Sequence, residues 1–379
     1  MPHFLLPSKY RDALLGLVLL GAGAALILCP TQSMEAGRQG LQLCLQVIIP
    51  SLFPFLVLSA LVVELGMVRY LSRAAERLMP PLFRVNSAGA CALVLGLVGG
   101  YPIGARTAID LYEKGLCSKT EAQRLLAFCN NSGPAFIFGV VGAGVFASRS
   151  IGFLLYFAHI SASLCTGILF RFYGSETPGA PRTRTPQFQT THLSAAFTSS
   201  VKCAFTSVWN ICAFVVFFTV VIRLLTVCGV MIPIANLLGT LFSSVGLDSA
   251  YIQSLLIGLL EVSSGVTSLS GEGSLVIQAT VTAFLLGWAG LCVHCQVFSF
   301  LRDTDLSPNT YLAGKAIHGT LAALFTALLF RLLSPDRLPR QVDVPALPLF
   351  LASASLLWII QLWSGIRKKR GGKRVRHGL

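Results

Sequence analysis

Charged residues are scarce in this sequence of 379 amino acids, since Asp, Glu, Lys and Arg make up only 12% of it while hydrophobic residues make up 54%. A typical soluble domain carries about 25% charged residues. The mean hydropathy of +0.73 points the same way. A soluble chain this apolar could not cover its surface with polar groups, so the shortage excludes most soluble enzymes and disordered chains and favours a membrane protein.

Acidic residues are the scarcer of the two charge types, with 15 Asp and Glu against 29 Lys and Arg, which gives a net charge of +14. A basic excess often indicates nucleic-acid binding. No basic face with interleaved aromatic residues occurs here, so we predict no nucleic-acid partner. We interpret the excess instead as a membrane-topology signal, because loops on the cytoplasmic side are rich in Lys and Arg.

Motifs of catalytic and metal sites are also lacking. The sequence contains no pair of CxxC motifs, no GxSxG and no HExxH. Ten of its eleven cysteines lie in apolar runs, where thiols behave as small apolar groups. His294 lies between Cys292 and Cys295, but adjacent positions on a helix point in different directions and cannot converge on one ion. We therefore predict a protein that is not an enzyme and has no cofactor and no metal site.

Long uncharged runs are abundant. A bilayer core about 30 Å thick needs roughly 20 such residues as a helix. These runs do not alternate as barrel strands do, and helices satisfy their own backbone in lipid. The fold class predicted is all-α, a polytopic membrane protein with about eight full spans and two re-entrant segments. The runs are 13–29, 41–63, 85–105, 125–148, 150–170, 203–222, 224–247, 273–301 and 344–366.

The two parts of the chain on either side of a polar stretch resemble each other. Leu169-Phe170-Arg171 matches Leu329-Phe330-Arg331, and other short matches share the same offset of 160 to 162 positions. We predict an internal duplication. The segments are an N-terminal span (1–40), a first repeat (41–173), a basic polar linker (174–200), a second repeat (201–335), a C-terminal span (336–366) and a basic tail (367–379).

The basic loops predict the orientation of the repeats. The loop 69–84 and the linker are both basic, so both are expected on the cytoplasmic side. An even number of crossings must then separate them, and one of the three runs between them must re-enter. The best candidate is 85–110, because four glycines and Pro102 fall within nine of its residues. If 249–271 does the same, the repeats are inverted, both termini are cytoplasmic, and the pattern is typical of secondary transporters.

Polar residues inside the uncharged runs are the candidate site. Asn130, Asn131 and Ser132 precede Pro134, whose missing N–H frees a carbonyl near Asn130. Such a carbonyl, together with the amides, can bind a cation or a polar solute. The alternative is a kinked helix whose amides bond to neighbouring helices.

Glu261 is an ionisable residue in an otherwise apolar stretch, which is costly and usually faces a cavity or a partner. It could bind a proton or Na⁺ for coupling. The alternatives are an ion pair with Arg223 or Lys315, or a position at the membrane interface. The predicted substrate or ion pathway comprises Tyr101, Pro102, Asn130, Asn131, Ser132, Pro134, Glu261, Ser263, Ser264, His294 and Gln296. Arg106 and Asp110 are expected to form an i,i+4 pair.

Three segments carry a family resemblance. Gly99-Gly100-Tyr101-Pro102-Ile103-Gly104-Ala105-Arg106, Asn130-Asn131-Ser132-Gly133-Pro134-Ala135-Phe136-Ile137 and Gly290-Leu291-Cys292-Val293-His294-Cys295-Gln296-Val297 resemble motifs of the YlbJ-type sporulation integral membrane proteins. That group belongs to the nucleoside-recognition or Gate superfamily, whose members include nucleoside transporters and the pore domain of ferrous-iron transporters. The resemblance covers roughly 40–335, and Cys129 and Asn131 depart from it. It implies a transporter-like membrane protein of spore-forming bacteria that acts in spore maturation, and it implies no substrate.

Two functional hypotheses follow. The first is a secondary transporter or gated pore for a small solute or ion. The second is a non-transporting membrane scaffold for assembly of the spore cortex or envelope, whose basic tail docks partners or anionic lipid. Membrane lipids and an unidentified small solute or ion are the expected partners, and a homo-oligomer is left open.

Overall fold

The computed structural model describes residues 8–65, 67, 70, 73, 77–174, 192–243, 246–269, 271 and 273–333. Within these residues every regular element is a helix, which confirms the all-α class. The first half contains α1 (Ser8–Leu28), α2 (Pro30–Leu43), α3 (Ile49–Glu64), α4 (Met79–Phe83), α5 (Ala90–Gly99), α6 (Ile103–Glu113), α7 (Lys119–Phe128), a π-helical segment (Ala135–Val145) and α8 (Arg149–Phe170). The second half contains α9 (Leu193–Val227), α10 (Met231–Phe242), α11 (Ser249–Leu260), α12 (Val262–Thr267), α13 (Leu275–Trp288), α14 (Gly290–Leu301) and α15 (Pro308–Leu332).

The chain folds back on itself between α5 and α6, in the segment for which re-entry is predicted. Gly96 and Gly104 face each other so closely that a Cβ on Gly96 would lie 3.0 Å from the Gly104 Cα. In a straight helix, residues eight positions apart would be about 12 Å apart. Gly100, with φ of +78°, makes the turn, which a residue with a Cβ adopts only under strain. We call α5 and α6 the first hairpin.

A second hairpin forms from α11 and α12. Glu261, between the two helices, is extended, with φ of −142° and ψ of 114°. A Cβ on Gly265 would overlap the backbone of Gly258, so the two helices approach too closely for a side chain at this position. The chain therefore reverses in both glycine-rich segments, 85–110 and 249–271, that the sequence singles out.

Each hairpin is followed by an interrupted helix. α7 begins with a capping box, in which the Ser118 hydroxyl and the Glu121 carboxylate each accept a backbone N–H of the other residue. It ends at Phe128 with Cys129 as its C-cap, and the π-helical segment begins after Pro134. The break between α13 and α14 falls at Ala289, a buried residue held at φ of +82°.

Two long helices form the centre of the molecule. α8 and α15 pack against each other, and α15 also packs along α7 and α13. Glycines permit these contacts, since a Cβ on Gly314 would collide with the backbone of Ala127 and one on Gly287 would collide with that of Gly319. Small residues that let backbones approach are typical of helix packing in membranes.

α9 is the longest helix and presents apolar side chains to the surroundings. Phe205, Trp209 and Phe217 are each about 60% exposed along it. Its other side packs against α2 and α3. An apolar outer face of this length needs lipid or another protein to cover it.

Four described segments are long and apolar enough to cross a membrane: Arg149–Phe170, Leu193–Val227, Leu275–Leu301 and Pro308–Leu332. A bent pair of helices, Pro30–Ile48 with Leu52–Leu58, would make a fifth span. The total of about eight stays a prediction, because the run 344–366 and the basic tail 367–379 lie outside the described residues.

Two segment predictions differ from the structure. The run 224–247 is not one span, because α9 ends at Val227, Gly229 turns with φ of +73°, and α10 has only 12 residues. Twelve residues rise about 18 Å, too little for a bilayer core. In addition, α9 begins at Leu193, inside the stretch 174–200 assigned to the linker.

Candidate functional site

A cleft lies where the turns of both hairpins meet both interrupted helices. Its volume is about 60 Å³. The two turns contribute Gly99, Gly100, Tyr101, Glu261, Val262 and Ser263. The remaining walls are Ile48, Leu52, Ser132, Gly133, Phe136, Ile211, Val215, Val293 and Gln296. Five of the predicted pathway residues therefore line one cleft: Tyr101, Ser132, Glu261, Ser263 and Gln296.

Backbone contacts hold the four breaks together. A Cβ on Gly100, at the first turn, would lie 2.9 Å from the backbone nitrogen of Gly133. In the second half, a Cβ on Gly290 would lie 3.0 Å from the Gly258 carbonyl oxygen and 3.1 Å from the Val262 nitrogen. Each hairpin thus docks its turn on the interrupted helix of its own half, at positions where a side chain would keep them apart.

Glu261 is almost completely buried, at 1% exposure. Its carboxylate accepts the backbone N–H groups of Ser263 at 2.9 Å and Ser264 at 2.6 Å. It is therefore the N-cap of α12. Among the described residues it forms no ion pair, so the alternative of a pair with Arg223 or Lys315 does not hold. Ser264 binds the Glu261 carboxylate through its backbone N–H, and it does not line the cleft.

The residues between α7 and the π-helical segment form hydrogen bonds to protein groups that pack around them. The Asn130 side chain donates to the Tyr311 hydroxyl at 3.2 Å, and that of Asn131 donates to the Phe128 carbonyl at 3.0 Å. The Ser132 backbone donates to His159 Nε2 at 3.0 Å. Asn130 and Asn131 lie behind the cleft wall, and both their side-chain oxygens are buried without a hydrogen-bond partner in the described part of the chain.

The two prolines shape the breaks and do not line the cleft. Pro102 is the N-cap residue of α6, and Pro134 is that of the π-helical segment. Since neither can donate a backbone hydrogen bond, each fits at a helix start. Both therefore lie at helix starts, and their place in the pathway stays a prediction.

Lys315 is the charged residue that sequence reasoning missed as a site residue. It is 1% exposed in the middle of the apolar core. Its Nζ donates to the Asn130 carbonyl oxygen at 2.7 Å and lies 5.1 Å from the centre of the Tyr101 ring. No carboxylate lies within 4 Å of it in the described ranges. In the sequence this lysine comes directly before the apolar stretch 316–330, and that position could have indicated its burial. We considered the lysine only as an ion-pair partner of Glu261.

Three histidines surround the same region. His294 Nδ1 lies 3.0 Å from the Tyr311 hydroxyl, so this residue stands behind the cleft and does not line it. His159 and His318 lie against each other with ring centres 4.4 Å apart. His159 Nε2 accepts the Ser132 N–H, which leaves the other ring nitrogen to carry the proton of the neutral form. Together these groups form a buried polar cluster behind the break between α7 and the π-helical segment, which we call the first break.

A polar contact outside the apolar core joins the two halves. The Asp305 carboxylate accepts from Lys119 at 2.8 Å and from the Tyr112 hydroxyl at 2.7 Å. The hydrogen bond from Lys119 lowers the pKa of Asp305 below its usual value, and the bond from Tyr112 acts the same way. Arg106 and Asp110 form the expected i,i+4 pair at 3.7 Å.

Comparisons with known proteins agree with this architecture. No protein-family model matches the chain. It is 31% identical over 346 residues to the sporulation integral membrane protein YlbJ of Bacillus subtilis (strain 168), a match that covers 86% of this chain and 84% of that relative. Its fold is similar to that of CNTnw in an inward-facing, substrate-bound state, with a TM-score of 0.50, 15% identity, and coverage of 85% of this chain and 84% of that one. The second likeness bears on the fold alone, which is transporter-like.

Proposed function

This chain belongs to the family of YlbJ-type sporulation integral membrane proteins, and we propose that it is a secondary transporter or gated pore for a small solute whose pathway runs through the cleft. The observation that carries the proposal is the convergence of three helix breaks on one cleft, together with the helix that follows the fourth break. Helix breaks inside a membrane protein expose backbone groups, which are tolerated where they line a cavity. In transporters, such broken helices bind the solute and the coupling ion.

The proposal treats the two halves as inverted repeats. Each half has a hairpin, then an interrupted helix, then a long helix. His159 on α8 and His318 on α15 are 159 positions apart and lie against each other. Two halves of opposite orientation that meet at one cleft can open it alternately to either side by rocking against each other. With both basic loops on the cytoplasmic side, the two termini are cytoplasmic as well.

The size of the cleft fits a small ligand. Pockets for drug-sized ligands measure about 300–1,000 Å³, whereas this one measures about 60 Å³. That space holds a few water molecules or a small ion. A larger solute requires the hairpins to part first. The proposal includes membrane lipids as surroundings and contains no catalytic step, no cofactor and no nucleic acid.

A thermal-unfolding screen of the purified chain tests the proposal. Nucleosides, metal salts, amino acids and dipicolinate are added one at a time, and a ligand of the cleft raises the unfolding midpoint. At one hundred times its dissociation constant, a ligand stabilises by about 2.7 kcal/mol. We expect Glu261→Gln to lose this response. Glu35→Gln, at an exposed carboxylate on α2, should keep it.

Spore formation provides the second readout. A strain in which the only copy carries Glu261→Gln or Asn131→Ala should form defective spores while the protein stays in the membrane. Normal spores from both variants would contradict the proposal. If deletion of the tail 367–379 is instead the damaging change, the scaffold hypothesis is favoured.

A further inference from the structure

A buried amine lies where the sequence suggested a bound cation. Lys315 donates to the Asn130 carbonyl oxygen at 2.7 Å. Asn130 lies in the non-helical stretch between α7 and the π-helical segment, so its carbonyl is outside the regular hydrogen-bonding pattern of a helix. Carbonyls of this kind coordinate Na⁺ in transporters with broken helices. The lysine nitrogen and a metal ion would compete for the same oxygen lone pairs.

The surroundings of Lys315 contain dipoles and no opposite charge among the described residues. The face of the Tyr101 ring, 5.1 Å away, is attractive to a cation. The ionisable groups that face Lys315 from other helices are His159 on α8 and His294 on α14. Those on the same helix as Lys315 are Tyr311 and His318. A positive charge here is stabilised by a carbonyl and a ring, which is the environment that a small monovalent cation would also use.

We propose that the Lys315 ammonium is a tethered cation that occupies the carbonyl site of the first break, so that this protein binds its solute without Na⁺ at that position. The inference rests on the proposed function, because it names the coupling chemistry of the polar cluster directly behind the cleft. Two unit charges about 4 Å apart repel even at an effective dielectric constant of 20, which lowers the affinity for a second cation by roughly a thousandfold. A metal ion is therefore excluded as long as the amine is in place.

The test uses the purified full-length chain without solute, so its result does not depend on transport. The unfolding midpoint of the wild type should be the same in sodium chloride as in choline chloride of equal ionic strength. A saturable rise with sodium in the wild type would overturn the proposal.

The variant arm removes the amine and returns it as a free compound. Lys315→Ala lacks the three methylenes and the ammonium, which n-propylammonium replaces. We expect n-propylammonium to raise the midpoint of Lys315→Ala in a saturable way and neutral 1-propanol to have no such effect. Lys315→Met, which fills the space without a charge, and Lys114→Ala, at an exposed lysine, should not respond.

If n-propylammonium stabilises all variants equally, or leaves Lys315→Ala unchanged, the tethered-cation proposal is wrong. The solute screen with Glu261→Gln is scored separately. The transport proposal can therefore be refuted while the tethered-cation proposal holds. The tethered-cation proposal can likewise be refuted while the transport proposal holds.

Discussion

Replacing Gly104 by alanine should destabilise the molecule, because the first hairpin leaves no space for a methyl group there. A Cβ on Gly104 would lie 2.8 Å from the Gly96 Cα and would overlap the Cys129 carbonyl oxygen. Both obstacles are backbone atoms, so neither can move aside as a flexible side chain does. Overpacking of this kind costs about 1–3 kcal/mol. The better helix propensity of alanine returns about 1 kcal/mol, so we expect a net loss of up to about 2 kcal/mol.

The matched control is Gly139→Ala in the π-helical segment. Gly139 is exposed, and nothing lies within 4 Å of where its Cβ would be. This substitution should be neutral or slightly stabilising. Unfolding can be followed with a thiol-reactive fluorophore in detergent, since Cys91 and Cys129 are buried and become reactive only when the helices separate. Equal midpoints for Gly104→Ala and the wild type would refute the close contact between hairpin and interrupted helix.

Three further predictions test the cap, the outer contact and one thiol. Glu261→Ala should lower the free energy of unfolding by about 1 kcal/mol because α12 loses its N-cap. Glu261→Gln keeps an accepting oxygen and should lower it less. Equal losses for the two variants in chemical unfolding would contradict the role of Glu261 as a cap. The carboxylate of Asp305 contributes stability above the unfolded pKa of about 3.9, and this is lost as the pH falls through its lowered folded pKa. The difference in midpoint between the wild type and Asp305→Asn should therefore shrink from pH 6 to pH 3, and a constant difference would speak against the Lys119 contact. Burial raises the pKa of Cys117 to about 12, so a variant with Cys117 alone should react far more slowly with maleimide at pH 8 than one with the exposed Cys228 alone.

The breaks at Gly100 and Pro134 could be predicted because they depend on local chemistry, whereas the break at Ala289, inside the run 273–301, was not predicted. Gly100 takes a conformation that side chains disfavour, and Pro134 cannot continue a helix. Both effects follow from the residue type alone and do not depend on which helices pack nearby. For the same reason the apolar runs predict the all-α class. The prediction of one span over 224–247 is wrong because the chain turns at Gly229 within it.

The partners of the polar residues could not be predicted, because they depend on which helices lie side by side. From the sequence, Lys315 is considered only as one possible ion-pair partner of Glu261, beside Arg223. In the structure, the Glu261 carboxylate bonds to its own helix start, and the Lys315 amine reaches across to Asn130 in the first half. That contact joins positions 185 residues apart, and no pattern of residue types specifies it.

The way in which these two charges are satisfied bears on how the molecule could work. An ion pair between Glu261 and Lys315 would lock the hairpin to α15, since separating two buried charges is costly. Instead, each charge is held by backbone groups that a helix break exposes: two N–H groups for the carboxylate and one carbonyl for the amine. The second hairpin and α15 can therefore move apart without breaking an ion pair between these two residues. A change of shape at either break alters the environment of only one charge, which is compatible with the proposed opening of the cleft to alternate sides.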